Sequence, residues 1–403
     1  MQLKLLQAYK VLGNFSTALI MEFIPFIILC NMMPVYSLEK SIAIMFLFWA
    51  LQSLFMYLFN IILKKVYEKK PQIFLLLRIV PIIVCEICIL FLYTNNIFVI
   101  IITAIFSGLE NSFNWQPLDI IWNYATENTD ERTLAFTSFL DQMAWLAAGI
   151  VGGFFLDNIP QSVVVIFSLI LFIGAALPLF IYYFKNKNTP YFNTDFVSNI
   201  VQNNQTSEKV INLRKSFIKE HFITTVLVSP AIYTFYYITT ALIYLESGSF
   251  FITGIVNSLY DGVYGIACLY CGKFLTKVDG QNYVTAVLIY MIASMIAIFL
   301  IPNLIVQIVI FVLCAFIQPI FGIYRVQNFL DKARILGVGN EISINSSNGN
   351  DLSNFLCYAS GIFGITSIVI FSVVSTLIGT IAIRKTDERI TKNLVDILSN
   401  NDS

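Results

Sequence analysis

Long apolar runs separated by short polar breaks dominate the chain, and most of its charges sit in those breaks. Many runs reach about 20 residues, the length at which an α-helix crosses the hydrocarbon core of a bilayer. A transmembrane β-barrel needs short segments of alternating polarity instead, and none is sustained here. The pattern predicts an all-α polytopic membrane protein with twelve transmembrane helices. Six are expected at 11–33, 38–62, 72–93, 97–123, 133–156 and 161–184, and six more at 220–245, 249–272, 282–301, 304–328, 338–360 and 363–383. Three domains follow: a six-helix bundle over 1–184, a cytoplasmic linker over 185–218, and a second bundle with a cytoplasmic tail over 219–403. The linker is rich in Asn, Lys and Ser, as connecting segments are.

One predicted helix is unusual. Gly339–Asn354 runs GNEISINSSNGNDLSN, too polar to face lipid. It is expected as a helix turned toward a wet cavity. As a loop, it would leave eleven spans and move Arg384, Lys385, Arg389 and Lys392 to the opposite side.

Charge sharpens the layout. With both termini cytoplasmic, every one of the 24 Lys and Arg residues except Lys40, Arg78 and Arg325 falls in a cytoplasmic segment. That is the positive-inside pattern, which sets both ends as cytoplasmic; the inner (plasma) membrane is the expected location. The composition agrees: 58% of the 403 residues are hydrophobic and 12% charged, about half the charge of a soluble domain. A net charge of zero points to no nucleic-acid partner. The first apolar run lacks a small-residue cleavage site after it and is expected to be a retained helix.

Chemistry-bearing motifs are sparse. The pairs Cys85/Cys88 and Cys268/Cys271 lie inside predicted spans and read as small packing residues. With His221 the lone histidine, no metal site is expected. Phosphate-loop and nucleophile-elbow patterns are missing, so neither an enzyme nor a cofactor is expected.

The two halves echo each other. Pro117 lies fifteen residues before Arg132, and Pro319 fifteen before Arg334, each preceded by a glutamine, Gln116 and Gln318. Asn60-Ile-Ile-Leu-Lys-Lys65 and Gly272-Lys-Phe-Leu-Thr-Lys277 both end the second helix of a half. Parallel repeats around a central site give this image. Over essentially its whole length the chain resembles the major facilitator superfamily. The stretch Gly272 to Gly280 keeps the glycine and the basic residue of that family's loop motif. The first-half copy keeps only Lys65 and the Lys69-Lys70 pair, with Asn60 where glycine is usual. Ala147-Ala-Gly149-Ile-Val-Gly152-Gly153 is similar to the glycine-rich motif of the family's exporter branches. The resemblance implies alternating access, with the first, fourth, seventh and tenth helices lining the cavity. Lys65, Lys277, Arg132 and Arg334 would be gating residues in the loops.

Carboxylates at mid-membrane are costly and mark function. Glu22 falls at the middle of the first helix and Glu110 at the middle of the fourth. Thr103, Ser107, Glu110, Asn114 and Pro117 share one helical face, as a cavity wall requires. Asn257, Asp261, Tyr264 and Cys268 repeat the theme in the eighth helix. Tyr233, Tyr236, Tyr237, Thr240 and Tyr244 offer flat apolar faces with hydroxyl tips. Gln318 and Arg325 lie two turns apart. Glu22, Glu110 and Asp261 are expected to couple protons, and the polar and aromatic groups to line the substrate cavity. Arg78 is expected to pair with Asp119 or Asp141 as a structural or gating ion pair. Glu86, on a peripheral helix, is expected to be structural.

Two carboxylates sharing a cavity hold at least one proton when occluded, which motivates proton-coupled export of a small molecule by a monomer. Uptake of a small metabolite is the alternative within transport. A sensor or assembly protein that kept the fold is the alternative outside it.

Overall fold

The computed structural model describes residues 2–126, 131–186, 208–274, 280–336 and 338–399. Twelve helical rods account for nearly all of them. The first half comprises α1 (Gln2–Met21, resumed as Ile24–Met32), α2 (Leu38–Lys69), α3 (Pro71–Leu77, resumed as Ile79–Leu90), α4 (Ile97–Thr126), α5 (Glu131–Asn158) and α6 (Gln161–Asn186). The second comprises α7 (Glu208–Ser229, Pro230–Thr234 and Phe235–Ser247), α8 (Phe250–Phe274), α9 (Gly280–Leu300), α10 (Leu304–Leu336), α11 (Gly339–Gly361) and α12 (Ile365–Ser399). Nine helices among the described residues are long and apolar enough to cross a bilayer unaided. α8 and α11 fall short of that test, and the fully described part of α10, Leu304–Pro319, is a shorter apolar helix.

The rods form two six-helix bundles. The end carrying the N-terminus and the start of α7 is the terminal end, and the opposite one the distal end. The segment Gly339–Gly361 is a helix, so the eleven-span alternative is set aside. α11 folds despite its polarity because its polar face has partners in α2, α4 and α7. Two boundaries differ from expectation. The 208–218 part of the expected linker forms the first turns of α7, and the expected tail after 383 continues α12 to Ser399. Both carry apolar residues that close a small terminal-end core: Leu213 and Phe217 meet Leu336, Ile342, Ile390 and Leu394. Ion pairs Lys332–Asp387 and Arg389–Glu220 border it.

Three rods are broken, each by a proline lacking the N–H that would bond one turn back. Pro25 follows the turn at Glu22–Phe23, Pro81 follows the turn at Arg78, and Pro230 opens a five-residue π turn ahead of Tyr236. Such breaks free backbone groups and re-aim neighbouring side chains.

The halves meet along two seams. In one, α5 lies against α8 at backbone contact. A Cβ on Gly153 would collide with the Phe250 carbonyl, and one on Gly254 with the Gly149 carbonyl. The exporter-like glycine run is thus the surface that lets α5 and α8 touch. Ser258 Oγ donates to the Leu146 carbonyl at 2.7 Å. At the distal end Asp157 receives the backbone N–H groups of Phe250 (3.0 Å) and Phe251 (2.9 Å) and the Ser249 hydroxyl (2.6 Å). A residue of one half therefore caps a helix of the other. In the second seam α2 lies against α11, with Gly361 seated on the Phe46 ring.

Candidate functional site

Glu22 and Asp261 come from different halves and lie within reach of each other's charge. Their depth follows from helix geometry. Glu22 precedes the distal end of α1 at Met32 by ten residues, and Asp261 follows the distal start of α8 at Phe250 by eleven. At 1.5 Å per residue each is about 15 Å in, half the thickness of a bilayer core. Both keep part of their surface accessible although the protein surrounds them. Neither forms a salt bridge among the described residues. Tyr236 and Tyr237 feel both charges.

Aromatic rings enclose this pair. Tyr236 packs edge-on to Tyr260 at 5.1 Å and against Phe311 at 5.6 Å. The Tyr260 hydroxyl donates to Gln318 Oε1. Toward the distal end the rings bridge the halves: Trp49 with Tyr237 (5.4 Å) and Tyr358 (5.5 Å), Phe26 with Tyr244 (5.1 Å), and Phe23 with Phe250 (6.1 Å). These contacts join the two halves. Nearer the terminal end the contacts between halves are polar. Asn60 Nδ2 donates to Asp351 at 2.9 Å, and Gln116 Nε2 to Asn348 at 3.1 Å. Ser112 Oγ donates to Asn60 Oδ1 at 2.7 Å and meets the Tyr67 hydroxyl at 2.5 Å. Asn60, where the family's glycine is usual, is therefore a contact between halves.

The fourth-helix stripe is placed differently from expectation. Thr103, Ser107, Glu110 and Asn114 are all buried. Ser107 accepts from Gln52 of α2 at 2.7 Å. Glu110 accepts Arg78 Nε at 2.7 Å, and Arg78 Nη1 donates to the Tyr9 hydroxyl at 3.2 Å. The guanidinium also lies over the Phe172 ring at 5.2 Å. Two expectations are corrected. Glu110 is not free of a basic residue at its depth; it has one, Arg78, inside the first half. Arg78 pairs with Glu110 rather than Asp119 or Asp141, because the break at Arg78 turns its side chain inward. Asp141 instead takes Lys10 (3.0 Å) and Asn14 Nδ2 (2.6 Å), and Asp119 feels the Lys10 charge.

The remaining expected site residues scatter. Thr240 Oγ1 donates to Asn257 Oδ1 at 2.9 Å, tying α7 to α8. Tyr233 is partly exposed and meets Asn350 of α11 at 3.5 Å. Lys65 is exposed on α2. Lys277 and the side chains of Arg132, Arg325 and Arg334 lie outside the described residues. Sequence reasoning overlooked Trp49, Tyr260, Tyr358, Asn60, Asp157 and Asp351. Of these, Asp351 carried a signal, as a carboxylate within a polar run on a predicted span. The rings looked like ordinary apolar positions.

Two six-helix bundles with carboxylates at mid-depth between them define a polytopic membrane carrier. The sequence profile of the Major Facilitator Superfamily matches residues 11–338, and the chain belongs to that superfamily. No curated protein sequence matches it. Solved structures share the fold. A bacterial homologue of the iron transporter ferroportin in its outward-facing state is 13% identical, with a TM-score of 0.61 over 96% of this chain and all of that one. The POT family transporter PepTSo is 10% identical, with a TM-score of 0.66 over 96% and 98%. The nucleoside transporter NupG is 13% identical, with a TM-score of 0.58 over 97% and 99%.

Proposed function

We propose that the protein is a secondary transporter that exports a small organic cation in exchange for protons, by alternating access. The Glu22–Asp261 pair carries this reading. Two carboxylates held close together outside bulk water need a counter-charge. A proton supplies one and a cationic substrate another, and each excludes the other. Mutually exclusive occupancy is the thermodynamic core of antiport. Tyr236, Tyr237, Tyr260 and Trp49 supply flat faces that favour an aromatic or quaternary cation. A rocking motion would break the ring contacts on the distal side and the Asn60–Asp351 and Gln116–Asn348 contacts near the terminal end in turn. The α5 glycine run supports export as the direction. The distribution of Lys and Arg supports the plasma membrane with both termini cytoplasmic.

Inverted vesicles with an acid interior test the reading. Lipophilic cations added outside should release protons from the lumen, and Glu22→Gln or Asp261→Asn should abolish the release. Full release in both variants would sink the proton–cation exchange. Accumulation of a labelled solute in whole cells would reverse the proposed direction.

A further inference from the structure

A second carboxyl group lies deep in the first half, apart from the pair between the halves. Glu86 of α3 is 1% exposed. Its Oε1 lies 3.0 Å from Ser168 Oγ of α6, and the same Ser168 oxygen lies 2.8 Å from the Ser16 carbonyl of α1. Glu86 Oε2 has no hydrogen-bond partner among the described residues.

Counting protons decides what Glu86 is. A serine hydroxyl has one hydrogen to give and lone pairs to receive. A backbone carbonyl cannot donate. Ser168 can give its one hydrogen fully to only one of these oxygens; with that hydrogen on the Ser16 carbonyl, the short contact to Glu86 is a full hydrogen bond when Glu86 donates in return. A donating carboxyl group carries a proton. The lone Oε2 agrees, since a buried neutral carbonyl oxygen without a partner is tolerable and a buried anion without one is not.

The charges around it point the same way. Arg78 of α3 is committed to Glu110 of α4, whose Oε1 accepts its Nε at 2.7 Å. The charge of Glu110 reaches Glu86 and opposes a second anion. The remaining groups facing the cluster are the Tyr9 hydroxyl from α1, the thiols Cys85 and Cys88 on α3, and the uncharged Ser168 from α6. Phe172, which stacks on Arg78, and Ser168, which meets Glu86, are one turn apart on α6. Arg78 and Glu86 thus lie against successive turns of one helix.

We infer that Glu86, Ser168 and the Ser16 carbonyl form a buried proton-binding site within the first half. If the proton departed, Glu86 would be a second buried anion within reach of the charge of Glu110, with no salt bridge of its own among the described residues. The site needs neither the Glu22–Asp261 exchange nor transport in any direction.

Infrared spectroscopy of the purified full-length protein tests it. The background should be Glu22→Gln/Asp261→Asn, so that those acids do not contribute. The background protein at neutral pH should show a carboxylic-acid C=O stretch that Glu86→Gln removes. Glutamine keeps a donor toward Ser168, so that variant should fold with unchanged thermal stability. Ser168→Ala, which removes the acceptor for Glu86 together with the donor to the Ser16 carbonyl, should keep the band but shift its frequency. An acid band unchanged in Glu86→Gln would overturn the inference, as would one unmoved in Ser168→Ala. So would loss of carboxylate absorption, instead of acid absorption, in Glu86→Gln.

Discussion

Two sets of acids lie inside this membrane protein, and they are built for opposite ends. Glu110 is buried within one half and held by Arg78, with Tyr9 and Phe172 fixing the guanidinium from other sides. Glu22 and Asp261 sit between the halves, partly accessible, with no salt bridge among the described residues. A paired acid inside a rigid bundle holds helices together, because separating it strands a buried charge. On the proposed reading, an unpaired couple between the halves stays open to whatever positive charge arrives. Depth in the membrane is similar for both, so depth alone does not separate structure from function. On the proposed function, the presence of a fixed cation does.

The widest separation between the two sets should appear in transport. The double variant Glu22→Gln/Asp261→Asn should lose pH-gradient-driven flux to background in reconstituted vesicles, while its melting temperature stays close to that of the parent. Equal loss of stability would erase the contrast. Arg78→Ala should do the reverse. It leaves Glu110 buried without its cation and should destabilise the protein by about 3–5 kcal/mol, read as a fall in thermal midpoint in detergent. Replacing both partners, as Arg78→Met/Glu110→Leu, should recover much of that loss. If the double change is as harmful as the single one, Glu110 has a role beyond its pairing.

Smaller effects probe the seam that holds the unpaired acids opposite each other. Gly149→Val would drive a side chain into α8 and should cost roughly 1–3 kcal/mol, with a larger loss of transport than of fold. Asp157→Ala removes the cap on α8 and should cost about 1 kcal/mol, measured by thermal unfolding. No change in either would mean that the α5–α8 contact does not position Asp261.

The fold was legible because its signal is long and redundant. Apolar length, charge placement and the repeated Gln-Pro pairs each implied two six-helix halves. The glycine run of α5 announced a close helix contact, though not which helix would meet it. α11 was harder, since its polarity conflicts with a span until α2, α4 and α7 are in place to receive it. Pairing within the site was the least legible part. Helical periodicity shows which residues of one helix share a face, and it put Glu110 on a polar stripe correctly. It is silent on what that face meets. Arg78 reaches Glu110 because of a break in α3, and Asp261 reaches Glu22 across 239 positions of chain. Neither relation has a local signature.

The most direct test of the central claim is the number of protons released when a cation binds. In weakly buffered detergent solution, a lipophilic cation added to the purified protein should displace about one proton per molecule bound. That release should vanish in Glu22→Gln/Asp261→Asn. Cation binding with no proton release, or release that survives the double substitution, would contradict the account.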